Sequence, residues 1–216
     1  MLALNLNIEN FNANWSDQFD VGSTNEQKFK LNNEKSIDAT MMHKTAGFNY
    51  GETDTIQILE LPYLGNALSM IILLPKNNNL DEMESLISTE NLANWKKDMR
   101  VEEVQVSLPK FKFENKYFMK DTLTEIGMPT AFKYHEADFT GMSPTDELYI
   151  AEVIHQTFVE VSETGTEAAA ATAIIMIVGS IQRELKVFSA DHPFMFIIQE
   201  NDSGNILFLG RLMNPS

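Results

Sequence analysis

Residues 165–180 read GTEAAAATAIIMIVGS, and this run of sixteen carries a single charge, at Glu167. The first half contains four consecutive alanines, at 168–171, and alanine has the highest intrinsic helix propensity. The second half, residues 174–178, has the β-branched composition that favours a strand. From composition alone a plain alanine-rich helix is the favoured interpretation, but the run as a whole is ambivalent between helix and strand.

The composition of the chain limits the functions to which such a run can belong. The 216 residues are 44% hydrophobic and 22% charged, as is typical of a packed globular protein. The formal net charge is −15 and no basic run occurs, so neither nucleic acid nor heparin is expected as a partner. No apolar stretch reaches the roughly 18 residues of a membrane-spanning helix, so no membrane partner is expected.

Strand patterns dominate the chain. Two hairpins are predicted, at 56–75 and 194–212, each around a glycine-containing turn. Residues 104–108 alternate apolar and polar side chains, which predicts a strand with one buried face, and the first eleven residues also resemble a strand. Helical patterns are fewer and lie at 80–87, 89–99 and 118–126. The predicted fold class is α+β, with mainly antiparallel sheets and few helices.

Motifs of enzyme chemistry are absent from the sequence. It contains no G-x-S-x-G elbow, no H-E-x-x-H pair, no Walker loop and no dinucleotide fingerprint. It has no cysteine, which excludes a thiol nucleophile, and its four histidines are not paired at metal-ligand spacing. We therefore expect no enzymatic activity, no metal site and no cofactor.

The run 163–172, ETGTEAAAAT, closely resembles the reactive-loop hinge of inhibitory serpins. Other motifs of that family follow in the same order along the chain. They are Asn7, Phe11, Trp15, Phe19 and Asp20; Met41-Met42; Leu61-Pro62-Tyr63; Leu74-Pro75; Leu108-Pro109-Lys110-Phe111; Ala137-Asp138-Phe139-Thr140-Gly141; His192-Pro193-Phe194; and Gly210-Arg211 with Asn214-Pro215.

The resemblance covers essentially the whole chain and implies the fold. Residues 1–216 are similar to the C-terminal part of a single serpin domain, beginning in strand 3 of sheet A, with a reactive-centre loop at about 163–184. The N-terminal helices and first strands of that domain have no counterpart, and Glu9, Asn10 and Ala13 depart from the family pattern. We interpret the chain as an incomplete serpin domain with mixed, mainly antiparallel sheets, few helices and an exposed reactive-centre loop. Because the first strand would present an unpaired edge, we expect the isolated chain to self-associate.

The resemblance also implies a function, inhibition of a serine protease by a suicide-substrate mechanism. In this mechanism the protease attacks the loop, and the loop then inserts into sheet A as a new strand. The implied hinge consists of Gly165, Thr166, Glu167, Ala168, Ala169, Ala170, Ala171 and Thr172.

The residues of the hinge are physically suited to insertion. In a strand, alternate side chains share a face, so Thr166, Ala168, Ala170 and Thr172 would lie together and Glu167 would lie opposite. The shared face is small and uncharged, so it can enter a sheet without burying an unpaired ion.

Two candidate bonds for protease attack remain open. Loop length in the family places the bond at Gly179-Ser180, which would suit an elastase-like protease. The alternative is Arg183-Glu184, which would suit a trypsin-like protease but requires a longer hinge.

Five further residues match supporting positions of the family. Asn7 and His155 match the pair that hydrogen-bonds where sheet A opens, although a satisfied core histidine is the simpler interpretation of His155. Lys110 and Glu163 match an ion pair beside Trp15, for which the alternative is a surface pair that contributes little.

The resemblance implies an extracellular inhibitor whose signal peptide would lie upstream of Met1. The sequence also contains two N-x-S sequons, at 14–16 and 201–203, which a secreted protein can carry. The alternatives are a non-inhibitory serpin-like protein that acts in binding or storage, and an inactive fragment.

Overall fold

A computed structural model describes residues 2–143, 147–166 and 185–216. Strands dominate these residues, as the sequence predicts. The strands are β1 (Leu2–Asn10), β2 (Ala13–Asn14), β3 (Asn25–Lys30), β4 (Ser36–Glu52), β5 (Ile56–Pro62), β6 (Leu68–Pro75), β7 (Arg100–Pro109), β8 (Phe111–Phe118), β9 (Ile150–Val161), β10 (Gly165–Thr166), β11 (Lys186–Ser189), β12 (Phe194–Glu200) and β13 (Ile206–Leu212). The helices are α1 (Leu80–Ser85), α2 (Thr89–Asp98) and α3 (Lys120–Glu125), with 3-10 turns at Val21–Ser23 and Thr130–Phe132.

The chain divides into two compact units. The smaller unit comprises Met1–Phe11 and Phe113–Val159, and the larger comprises Asn12–Lys112 and Glu160–Ser216. In the part of the chain that the structure describes, no helix is long and apolar enough to cross a membrane.

The larger unit is built on a sheet in the order β11-β7-β4-β5-β6-β12-β13, with β3 paired to β4. The 17-residue strand β4 connects its parts, because it pairs with β3, β7 and β5 along successive stretches. All these pairs are antiparallel except that of β11 with β7, which is parallel. The mainly antiparallel α+β class that the sequence predicts is thus confirmed.

The two predicted hairpins are confirmed. β5 and β6 are joined by a turn in which Gly65 and Asn66 have φ angles of +87° and +57°. β12 and β13 are joined by a turn that contains Gly204, with φ of +73°. Glycine and asparagine adopt this left-handed conformation more readily than other residues, so the turn chemistry fixes both hairpins locally.

The predicted helices form, but each is shorter than its pattern. In α1 the Asn79 side chain accepts a hydrogen bond from the Glu82 amide at 3.2 Å, which caps the first turn. The third helix does not begin at Phe118, as the pattern suggests, because that residue ends β8. α3 begins at Lys120 instead, where the Glu152 carboxylate accepts a hydrogen bond from the Lys120 amide at 3.2 Å.

One hydrophobic cluster of the larger unit lies between the sheet and helices α1 and α2. Leu92, Trp95 and Met99 recur at helical spacing, and all three pack in this cluster. Leu92 and Trp95 are half-buried on α2, and the buried Met99 directly follows the helix. Strands β5, β6 and β12 contribute Ile56, Ile58, Ile71, Leu73, Met195 and Ile197 from the sheet. This packing makes the larger unit a firm support for the segments that enter and leave residues 167–184.

The smaller unit contains a three-stranded sheet in the order β1-β9-β8. β1 runs parallel to β9, from Leu2 opposite Ile150 to Asn10 opposite Phe158. Since β1 occupies one end of this order, one of its edges carries no partner strand among the described residues.

Candidate functional site

The chain reverses direction immediately after β9. The amide of Gly165 donates to the Ser162 carbonyl at 3.2 Å, and the amide of Ser162 donates to the Gly165 carbonyl at 2.9 Å. On its other side Gly165 pairs antiparallel with Asn14, and Thr166 pairs with Ala13. The first two residues of the run 165–180 therefore already form a strand, β10, and Gly165 lies between Ser162 and β2.

Only glycine fits at position 165. Its φ angle is +131°, in a region that other residues rarely adopt. A Cβ atom there would lie 2.5 Å from the Asn14 Cα and 2.7 Å from the Trp15 amide nitrogen. Both neighbours are backbone atoms, which cannot move aside as a flexible side chain can. The close approach of β10 to β2 therefore depends on the missing side chain.

Trp15 holds the reversal from the side of β2. Its indole Nε1 donates to the Ser162 carbonyl at 2.9 Å, and its backbone amide donates to the Thr164 carbonyl at 3.0 Å. The ring stacks on Tyr63, with centroids 4.6 Å apart and planes inclined by 14°. Since Trp15 is only 2% exposed, these contacts fix the turn against the body of the larger unit.

The structure brings the predicted pair Lys110 and Glu163 together, with Lys110 Nζ 2.8 Å from Glu163 Oε2. Glu163 is 6% exposed, so its carboxylate is buried and not part of a solvated surface pair. Burial alone would raise the pKa of Glu163, but hydrogen bonds from Lys110 and from its own backbone lower it further than burial raises it. The carboxylate is therefore charged at neutral pH, two residues before Gly165.

The predicted pair Asn7 and His155 belongs to the smaller unit. In the register of β1 with β9, Leu6 lies opposite His155 and Ile8 opposite Gln156, with an irregularity at the intervening Asn7. The His155 ring lies 6.2 Å from the Tyr117 ring, in a stacked arrangement. The hydrogen bond between Asn7 and His155 stays a prediction.

Most of the predicted reactive loop lies outside the described residues. This applies to the hinge residues Glu167, Ala168, Ala169, Ala170, Ala171 and Thr172, and to both candidate bonds, Gly179-Ser180 and Arg183-Glu184.

A second cluster of polar side chains, which the sequence patterns did not indicate, lies where the chain re-enters the sheet. Glu52 at the end of β4 contacts Lys186 at the start of β11, with Glu52 Oε1 3.1 Å from Lys186 Nζ. Hydrogen bonds from Lys76 and Lys186 lower the pKa of Glu52 to about 2. No sequence signal could have joined Glu52 to Lys186, because 134 positions separate them.

Among residues 2–143, 147–166 and 185–216, no three histidine, aspartate or glutamate side chains are grouped so that they could hold an ion.

Comparison with known proteins identifies the family. The family model described as Serpin (serine protease inhibitor) matches residues 2–215. An uncharacterized serpin-like protein of Thermococcus kodakarensis is 44% identical over 207 residues, which cover 95% of this chain and 48% of the relative. The leukocyte elastase inhibitor of Homo sapiens is 41% identical over 214 residues, which cover 95% of this chain and 56% of the relative.

Solved structures agree with the sequence relatives. The crystal structure of uncleaved ovalbumin is similar with a TM-score of 0.81 at 29% identity, covering 93% of this chain and 51% of that one. The structure of a tumour-suppressing serpin gives a TM-score of 0.81 at 33% identity, covering 95% and 55%. The fold is thus the serpin fold, and the chain spans about half the length of the relatives that it matches. The chain belongs to the serpin family, a family of serine protease inhibitors and not of enzymes.

Proposed function

We propose that the protein to which these residues belong inhibits a serine protease by inserting its cleaved reactive loop into the sheet that contains β1 and β9. The observation that carries this proposal is β10, in which the start of the loop already lies as a strand beside β2. Residues that follow Thr166 can extend this strand, since the run to Thr172 contains no proline and, apart from Glu167, consists only of alanine and threonine.

The sheet of the smaller unit has the strand directions that such an insertion needs. β1 and β9 are parallel neighbours, paired over most of their length. A segment that continues in the direction set by the reversal at 162–165 would run antiparallel to β9, and hence to β1 as well. Inserted between them, it exchanges one parallel ladder for two antiparallel ladders, which are slightly more stable per residue. Strand addition of this kind supplies main-chain hydrogen bonds as its driving force.

The hinge sequence supports the same mechanism. On alternate positions Thr166, Ala168, Ala170 and Thr172 would form one inserted face, and none of these side chains is charged. Burial of a charge without a partner would cost several kcal/mol, so an uncharged face is required if the strand is to be buried.

The class of target protease follows from the bond that is attacked. We infer Gly179-Ser180 from the loop length, and a residue without a side chain before the bond suits an elastase-like protease. The name of one relative, leukocyte elastase inhibitor, agrees with that inference. Arg183-Glu184 remains the alternative and would direct the inhibitor to a trypsin-like protease. The extracellular location stays a prediction of the resemblance.

The test is capture of a protease by the full-length protein. The protease serine hydroxyl attacks the carbonyl carbon of residue 179, the peptide bond to residue 180 breaks, and the new amine takes up the proton. An ester then joins inhibitor and protease. We expect this complex to survive boiling in detergent, with residue 179 joined to the protease serine. Mass spectrometry should show that the peptide released from the complex begins at residue 180. Cleavage without a stable complex, by both elastase-like and trypsin-like proteases, would refute inhibition and favour a non-inhibitory role in binding or storage.

Hinge variants separate loop insertion from simple blockade of the protease. We expect Thr166→Arg and Ala170→Arg to turn the inhibitor into a substrate, because each would bury an unpaired charge on the inserted face. Glu167→Arg is the matched control, since position 167 already carries a charge on the opposite face. Full inhibition by Thr166→Arg, measured as moles of inhibitor consumed per mole of protease, would contradict insertion.

A further inference from the structure

The strand that receives the end of the reactive loop is weakly attached to its sheet. β11 has four residues and, among the described strands, pairs only with β7, from Lys186 opposite Val104 to Ser189 opposite Ser107. Phe188 is fully buried, but Leu185 and Val187 are 45% and 55% exposed. Apolar burial therefore holds Phe188, whereas Lys186 and Val187 are held by the ladder with β7 and by side-chain contacts.

Glu52 supplies that attachment through a carboxylate whose two oxygens have different partners. Its Oε2 lies 2.8 Å from Lys76 Nζ, and its Oε1 lies 3.1 Å from Lys186 Nζ. Lys76 is itself fixed, because its backbone amide donates to the Thr55 carbonyl at 2.7 Å. One lysine thus orients the carboxylate from the body of the sheet, and the other oxygen is presented to the first residue of β11.

Gln57 adds a hydrogen bond to the next residue of β11. Its side-chain Nε2 donates to the Val187 carbonyl at 2.8 Å and to the Tyr50 hydroxyl at 2.9 Å. Burial raises the pKa of Tyr50, so the hydroxyl stays neutral and can accept from the amide. Two consecutive residues of β11 are therefore held by side chains of β4 and β5, namely Glu52 and Gln57, and Lys76, which follows β6, contacts Glu52.

We propose that Glu52, Lys76 and Gln57 form a clamp that positions the C-terminal end of the reactive loop by holding Lys186 and Val187. The contacts of the clamp are independent of the proposed function, but its effect on the reaction with a protease rests on that function. With the clamp closed, the loop spans residues 167–185 between β10 and β11. If Lys186 and Val187 detach, the span lengthens by two residues, or about 7 Å of extended chain. We then expect attack by the protease on the bait bond to slow, because the segment that follows this bond is no longer anchored at Lys186 and Val187.

Hydrogen exchange tests the clamp independently of inhibition. In the full-length protein at about 0.01 M salt, where charges are weakly screened, we expect Lys186→Gln to speed exchange of the amides of 186–189 by roughly two- to fivefold. Lys186→Arg should restore the slow exchange. Lys28→Gln is the control, because it removes an exposed ion pair with Asp38 in another part of the sheet. Unchanged exchange at 186–189 in Lys186→Gln would overturn the proposal.

The consequence for the reaction has its own measurement. We expect Lys186→Gln and Gln57→Leu to lower the second-order rate constant for formation of the covalent complex, and Lys186→Arg to leave this rate constant unchanged. Salt at about 1 M should weaken the clamp of the wild type and bring its rate constant closer to that of Lys186→Gln. If no variant forms a covalent complex, the proposed function fails while the exchange result still stands. If complexes form but the rate constant of Lys186→Gln equals that of the wild type, the clamp has no positioning role.

Discussion

Replacement of Gly165 by alanine tests whether β10 is held against β2 as the structure describes. Alanine at a φ of +131° is strained, and departures of this kind from the right-handed regions cost about 1–3 kcal/mol. The new Cβ would also lie 2.5 Å from the Asn14 Cα and 2.7 Å from the Trp15 nitrogen. Contacts this short force a backbone shift, and overpacking typically adds about 1–3 kcal/mol. The sum is roughly 2–6 kcal/mol, a large share of the roughly 5–15 kcal/mol that stabilises an average domain.

Gly65→Ala is the matched control in this experiment. Gly65 belongs to the same compact unit and has a φ of +87°, but a Cβ there would meet no atom within 4 Å. It therefore carries the conformational strain without the clash. The assay is urea unfolding of the full-length protein followed by circular dichroism, with the free energy of unfolding compared among the wild type and both variants. We expect Gly165→Ala to lose about 1–3 kcal/mol more than Gly65→Ala. Equal losses in the two variants would refute the close approach of β10 to β2.

Four other outcomes are expected. Glu163→Gln should lower the free energy of unfolding by about 1–3 kcal/mol, because it removes a buried charge-assisted hydrogen bond with Lys110. A loss no larger than that caused by Glu→Gln at an exposed position would contradict this expectation. The pKa of Glu52 falls from 4.5 to about 2 on folding, so its stabilisation is complete above pH 4.5 and is lost as the pH falls towards 2. The melting temperature of the wild type should therefore exceed that of Glu52→Gln at pH 7, and the two values should become equal near pH 2. A difference in melting temperature that does not change with pH would contradict this expectation. Gly210→Ala should lower the free energy of unfolding by about 1–3 kcal/mol, because the new Cβ would lie 2.6 Å from the Phe196 Cε1. Adding Phe196→Leu to this variant should recover part of the loss. If the free-energy changes of the two substitutions are strictly additive, the two side chains are not in contact. The isolated 216-residue chain should associate in sedimentation through the free edge of β1, whereas a monodisperse monomer would show that this edge is protected.

The sequence was sufficient to predict those elements whose structure depends only on residues that are neighbours in the chain. The hairpins around Gly65 and Gly204 follow from turn chemistry that involves only neighbouring residues. The side of α2 that packs on the hydrophobic cluster follows from the spacing of Leu92, Trp95 and Met99, the last of which directly follows the helix. The hinge motif at 163–172 could be identified for the same reason, since its residues are contiguous in the sequence. Recognition of the family thus needed no tertiary structure.

Pairings between distant segments were beyond the reach of sequence patterns. β4 pairs with three different strands in succession, so its residues show no single alternation from which a strand of 17 residues could be predicted. The parallel pairs of β1 with β9 and β11 with β7 join segments about 80 to 150 positions apart. The end of α3 was predicted well and its beginning was not, because the carboxylate of Glu152 on β9 sets where it starts.

The candidate site also has features that the sequence predicts and features that only the tertiary structure shows. The sequence by itself was sufficient to predict that residues 165–172 can join a sheet, because the size, the charge and the alternation of side chains are properties of the residues themselves. Only the tertiary structure decided that Gly165 and Thr166 lie beside β2, that Glu163 is buried against Lys110, and that Glu52 reaches Lys186. Each of these contacts depends on distances between backbone segments, and such distances are fixed by the packing of the whole sheet.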